Sequence, residues 1–297
     1  MIANESCWNC CLTTALRRAK ALPVPPDKTE DMLAEIRRAA DGCRGSESAP
    51  AMSAILTNVM KMYAEVDDQY VEPKHRFNEL MLNLEERIAD EVMASDDPLK
   101  RAVQYAMAGN YIDFGALDVV TEDKLMEILA GSSKIALDPI TLGRLKNDLI
   151  SKTKLVYITD NCGEIVMDKI LIRLIRQMNH NLEVTILVRG MPTHNDATPL
   201  DAAFVGLSDI APVIGNGTCA PGTPLDGRLI VPEGIRELLG GADICIAKGQ
   251  GNFESLHGSG LNIYYLFLCK CTAFMDRFGM EQFAGVMVNE RDVMIRQ

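Results

Sequence analysis

The 297-residue chain contains no uninterrupted apolar run of the roughly eighteen residues that a membrane helix requires. Residues 1–20 also lack a basic start followed by an apolar stretch, so the expectation is a cytoplasmic protein without a membrane partner. No basic stripe interrupts a formal charge of −11, which argues against binding the phosphate backbone of a nucleic acid. Several catalytic signatures are missing too. There is no G-x-S-x-G for a serine nucleophile and no G-x-x-x-x-G-K-[ST] for a nucleotide phosphate loop. Gly249-Gln-Gly251-Asn-Phe-Glu254 lacks the third glycine of the dinucleotide fingerprint. The nine cysteines are odd in number and scattered, which speaks against a disulfide framework. Cys7-x-x-Cys10 has no second C-x-x-C to complete a zinc site, since the other close pair is Cys269 and Cys271; redox chemistry and plain packing stay open.

What is present is apolar patterning, in 47% of the residues, enough for the cores of two unequal domains. From Cys11 to about Lys152 the spacing is helical: Lys28 to Cys43, Ala51 to Ala64, Asn78 to Met93, Pro98 to Ala108, Thr121 to Gly131 and Thr141 to Ser151. From Lys154 onward, short apolar runs alternate with helices, predicting a layered α/β half. The expected strands are Leu155 to Ile158, Leu182 to Val188, Ala211 to Ile214, Ala242 to Lys248, Ile263 to Leu268 and Gly285 to Val288. Helices are expected at Cys162 to Met178, Thr198 to Gly206 and Pro232 to Leu239. The predicted division is therefore an α-helical domain over 1–150 and a Rossmann-like α/β/α domain over 151–297.

Parallel strands carry their carboxyl ends to one edge, and three of these ends bear concentrated chemistry: Asp160/Asn161, Asn195/Asp196 and Lys248 to Glu254. Two carboxylates and an amide oxygen suit a hard divalent cation with positions left for substrate and water. The helix start behind Asp160 favours an anion. Lys248 offers a point charge for a phosphate, Gly249 and Gly251 permit close backbone approach, and Glu254 fits a general base or acid. Each residue has a plainer role available. Asp160 can cap the helix, Asn161 can take a turn, and a strand-end lysine can be solvated. Asn110 and Asp113, within Gly109-Asn-Tyr-Ile-Asp-Phe-Gly115, either cap a helix or reach substrate hydroxyls from the helical half. His75 and His180 are expected in solvent, His194 and His257 within the active loops.

The ordered set Asp160-Asn161-Cys-Gly163-Glu164, Asn195-Asp196-Ala-Thr198, Lys248-Gly249-Gln-Gly251-Asn252-Phe253-Glu254 and Lys270-Cys271 resembles the metal-dependent damage-control phosphatases, long known as domain-of-unknown-function family 89. The Cys7/Cys10 pair and the Gly109 to Asp113 cluster are similar to its prokaryotic, largely archaeal branch. The resemblance implies a helical domain over a Rossmann-like domain, with Asp160, Asn161 and Asp196 on Mn²⁺, Co²⁺, Ni²⁺ or Mg²⁺. It further implies Lys248, Gly249, Gly251 and Asn252 on the phosphate, Glu254 near the attacking water, and Asn110 and Asp113 on the organic part of a small phosphorylated metabolite. A homodimer is compatible with it. Competing expectations are an S-adenosylmethionine-dependent methyltransferase, disfavoured because the loop after Leu155 to Ile158 has only Gly163, and a metal- or metabolite-binding protein without turnover.

Overall fold

The computed structural model describes residues 1–64, 70–109 and 122–294. Six strands form one sheet: β1 (Lys154–Ile158), β2 (Glu183–Val188), β3 (Val213–Gly215), β4 (Ile244–Lys248), β5 (Ile263–Leu268) and β6 (Gly285–Asn289). Their order is β3-β2-β1-β4-β5-β6, all parallel except β6, which runs antiparallel to β5. This is the doubly wound arrangement, with its switch point between β1 and β4. Both neighbours pair with Val156, Thr185 on one side and Cys245 on the other. Side chains 155–158, 244–248 and 263–268 are buried throughout, as expected of strands covered on both faces.

One face is covered by α9 (Glu164–Met178), in which eleven of fifteen residues are buried. A helix that is apolar nearly all round needs cover on its outer side as well. That cover comes from α4 (Val71–Leu82), α5 (Glu85–Met93), α6 (Pro98–Ala108) and α8 (Pro139–Ser151), with α7 (Glu122–Ala130) beside α6. A single apolar cluster runs from Phe77 through α6 and α8 into β1, β2 and α9. The expected helix Asn78 to Met93 is interrupted at Asn83 and Leu84. The break turns Glu85 toward α9, where its carboxylate meets Lys169 and Arg173 at 2.6 Å each.

The other face packs α11 (Glu233–Gly240), α12 (Gln250–Leu256) and α13 (Thr272–Phe278) through Ile235, Leu239, Phe253, Leu256 and Phe274. α10 (Pro199–Phe204) precedes β3 and carries a capping box, with Thr198 and Asp201 each bonding the other's backbone. The first three helices, α1 (Glu5–Lys20), α2 (Pro26–Asp41) and α3 (Ala49–Lys61), hold a core of their own around Met32, Ile36, Met52 and Leu56. This trio lies over the carboxyl edge of the sheet, α3 against α12. Among the described residues no helix is long and apolar enough to cross a membrane.

Candidate active site

At the switch point the loops after β1 and β2 are zipped together by backbone. The Ala197 amide donates to Asp160 O at 2.8 Å, the Cys162 amide donates to Asn195 O at 2.9 Å, and Asn161 forms an isolated bridge with Asp196. This pairing brings Asp160, Asn161 and Asp196 side by side, from positions 36 residues apart at the extremes. Gly249, at the end of β4, takes φ +80, and a Cβ there would stand 2.1 Å from Asp160 Oδ2. Only glycine lets the two strand ends approach this closely.

Arg189, buried at the end of β2, organises the two carboxylates. Its Nε donates to Asp196 Oδ1 at 2.6 Å, Nη2 to Asp160 Oδ1 at 3.1 Å, and Nη1 to Asn252 Oδ1 at 2.9 Å. One oxygen of each carboxylate is thus held by a single planar fork, and the other oxygen of each is not used by it. Asn161 Nδ2 donates to Asp160 Oδ2 at 2.8 Å and to Glu164 Oε2 at 3.1 Å, which commits the amide nitrogen and leaves its oxygen as an acceptor for other groups. Burial pushes the Asp160 carboxyl up, and Asp196 and Glu164 add to the effect against Arg189 and Lys270. Asp196 is also raised, first by burial, with Arg189 opposing.

Among the described residues no three His, Cys, Asp or Glu side chains gather as a metal ligand set. The donors that do converge are two carboxylates and one amide, a hard oxygen set. Their crowded negative charge is what a divalent cation would neutralise, so the residues fit one. Cys7 and Cys269 are buried while Cys10 and Cys271 are exposed, all with free thiols.

Asp160 and Asn161 open into a cleft of about 310 Å³ between the strand ends and helices α1 and α3, with Asp196 buried beside Asn161. Asp160, Asn161, Gly251, Glu254 and Lys270 line it from the strand ends, Thr14 and Arg18 from α1, Ser53 and Thr57 from α3, and His194 from the loop after β2. Lys270, just after β5, lies near enough to Asp160 to lower its pKa. Burial raises the Glu254 carboxyl to about 7, with Arg277 opposing. Gly251 fits against Pro221, whose carbonyl oxygen would stand 1.9 Å from an added Cβ.

Several expectations are corrected. Lys248 does not face the cleft: its side chain is fully buried, and Nζ donates to Ala106 O at 2.7 Å, Glu164 Oε1 at 2.6 Å and Asp168 Oδ1 at 2.7 Å. An ammonium has three donors, and all three are satisfied inside the protein. Lys248 is therefore an internal counter-ion, and Lys270 is the lysine that reaches the cleft. Asn252 is likewise buried and saturated, accepting from Arg189 and Thr223 and donating to Thr159 O and Lys248 O. It is part of the scaffold rather than a substrate contact. The segment expected to be a glycine loop is the first turn of α12. The start of α9 is no open anion site, because Asn78 Oδ1 accepts from the Gly163 amide at 2.5 Å. His257 bonds Glu290 and stacks on Phe253, away from the cleft, whereas His194 lines it. Asn110 and Asp113 lie outside the described residues.

Sequence reasoning gave no role to Arg189 or Arg18. An arginine directly ending a buried strand was the available signal for the first; α1 carries three basic residues in its last turn, so nothing singled out the second.

Comparison with known proteins converges on one group. A damage-control phosphatase ARMT1-like domain matches residues 3–286. A damage-control phosphatase of Archaeoglobus fulgidus is 34% identical over 230 residues, 75% of this chain and 77% of that protein. A damage-control phosphatase of Pyrococcus horikoshii is 35% identical over 214 residues, 70% and 69% of the two chains. The crystal structure of a family-89 protein from P. horikoshii superposes with a TM-score of 0.83 at 26% identity, covering 98% of this chain and 99% of that one. The chain belongs to the ARMT1-like damage-control phosphatase family.

Proposed function

We propose that the protein is a metal-dependent phosphomonoester hydrolase acting on a small phosphorylated metabolite. The observation that carries this is the pairing of Asp160 and Asp196 through Arg189, beside Asn161, where Asp160 and Asn161 meet a cleft that also presents Lys270 and Glu254. Asp160, Asn161 and Asp196 would hold Mn²⁺, Co²⁺, Ni²⁺ or Mg²⁺, which when bound supplies positive charge to polarise the phosphoryl group. Arg189 keeps both carboxylates aligned from behind. Lys270 neutralises a phosphate oxygen from the rim. Gly251 keeps the wall beside Glu254 narrow. With its pKa near 7, Glu254 accepts a proton from water as that water forms the new P–O bond. The ester P–O bond breaks, and the departing alcohol oxygen is protonated by solvent in the open cleft.

The test is release of orthophosphate from an aryl phosphate by protein stripped with chelator and then reloaded with each of the four metals. Turnover restored by at least one metal is expected. Equal turnover in chelated and reloaded protein would remove the metal, and no turnover under any condition would remove the hydrolase.

A further inference from the structure

The side of the cleft formed by α1 and α3 carries a second cation. In the last turn of α1, Arg17 and Lys20 are exposed to solvent, as basic residues at a helix end usually are. Arg18 departs from that pattern: it is half-buried and lines the cleft with Thr14, one helical turn earlier on the same face. Its anchor is α3. The Thr57 hydroxyl donates to Ser53 O at 2.9 Å, which turns its lone pairs outward, and Arg18 Nη1 approaches that oxygen at 3.5 Å. One N–H of five is loosely occupied, and no Asp or Glu carboxylate among the described residues forms an ion pair with this guanidinium. The arginines that are structural in this fold look different. Arg189 is locked between Asp160 and Asp196, Arg101 on Glu91, and Arg173 on Glu85.

His194 supports the same picture. It lines the cleft in a left-handed conformation at φ 44, and burial first, then Arg18, lowers its pKa to about 4. A neutral imidazole near the guanidinium makes this part of the wall polar and, among the described residues, positively charged at Arg18. At about 310 Å³ the cleft is at the small end of the roughly 300–1,000 Å³ typical of small-molecule sites, so one compact ligand fills it.

We propose that the cleft selects phosphate monoesters whose organic part ends in a second anion, and that Arg18, oriented by Thr57, is the residue that reads it. The proposal rests on the phosphatase function above. A carboxylate and a second phosphate present the same planar or tripodal set of acceptor oxygens to an arginine fork, so either serves as the second anion. Thr14 and Ser53, which line the same cleft, add hydroxyls suited to a hydroxylated carbon chain.

The experiment compares metal-loaded wild type, Arg18→Gln, Arg18→Lys and the neighbouring solvent-facing control Arg17→Gln on four esters. These are p-nitrophenyl phosphate, a hexose monophosphate, a hexose bisphosphate and a phosphorylated sugar acid. In wild type, kcat/KM for the doubly anionic esters should exceed that for the hexose monophosphate. Arg18→Gln should lower that ratio by about 10- to 100-fold, the worth of a hydrogen-bonded charge pair. Arg18→Lys should recover part of it, and Arg17→Gln should keep it. Whichever doubly anionic ester loses more identifies the second anion as phosphate or carboxylate. A ratio unchanged by Arg18→Gln, or a wild-type preference for the hexose monophosphate, overturns the proposal. Calorimetric binding of the same sugar esters keeps the two readings apart. If no ester is turned over, the hydrolase reading falls, and the binding ratio in wild type against Arg18→Gln still decides for or against Arg18.

Discussion

Replacing Lys248 by methionine removes the ammonium at the centre of a fully buried cluster: Glu164, Asp168 and the Ala106 carbonyl lose their shared donor together. Asp168 retains the Tyr157 hydroxyl at 2.6 Å and Glu164 retains the Asn161 amide at 3.1 Å, so two carboxylates stay buried without the ammonium that bridged them. Removing one member of a buried ion pair costs about 3–5 kcal/mol, chiefly the desolvated charge left behind. With a urea dependence near 3 kcal/mol/M, the unfolding midpoint should fall by at least about 1 M. Adding Glu164→Gln and Asp168→Asn to the same chain should recover much of the loss, because no uncompensated charge remains. Lys270→Ala provides the contrast. It should shift the midpoint by no more than about 0.5 kcal/mol while lowering kcat/KM by roughly 10²–10³. Urea unfolding followed by circular dichroism, paired with steady-state kinetics, reads both. A Lys248→Met protein as stable as wild type but unable to turn over substrate would refute the internal counter-ion and return Lys248 to the phosphate.

Glu254 makes two pH predictions. Turnover should rise as pH passes about 7, when the carboxylate loses its proton, and Glu254→Gln should abolish that limb and lower kcat by about 10²–10⁴. Its folded pKa lies above the ordinary 4.5, so the folded state holds a proton that the unfolded state has released; this stabilisation is present at low pH and is lost as pH rises from about 4.5 to about 7, on the order of 3 kcal/mol at most. Thermal unfolding against pH should show that slope in wild type and a flatter one in Glu254→Gln. Gly249→Ala should destabilise by about 1–3 kcal/mol and displace Asp160, since the backbone is left-handed there and the new methyl meets the carboxylate. A Gly249→Ala protein with wild-type turnover would contradict the tight junction of β1 and β4.

The parallel sheet was legible because its strands are short apolar runs punctuated by polar strand ends, and the convergence of the Asp160 and Asp196 loops follows from parallel topology alone. Lys248 shows where that logic stops. A lysine at the end of β4 reads as a phosphate ligand or as a solvated residue, and it is neither, because Glu164 and Asp168, far away in sequence on α9, hold it in the interior. Asn252 misleads similarly, since its partners Arg189, Thr223 and Thr159 lie on three other segments. Helix α12 was hidden by its glycines, which mark a loop locally but here let α12 sit close to Asp160 and Pro221. The kink between α4 and α5 was masked by the fourfold spacing of Leu80, Leu84, Ile88 and Val92, which fits one long helix as well as two.

The most direct test of the metal-centred site is orthophosphate release measured against added Mn²⁺ for chelator-stripped wild type, Asp160→Ala and Asp196→Ala, with folding of each verified by circular dichroism. Wild type should regain turnover along a saturable metal titration, and each variant should stay inactive at every metal concentration while remaining folded. Turnover in Asp196→Ala that saturates with Mn²⁺ as in wild type would contradict a cation held between the β1 and β2 strand ends.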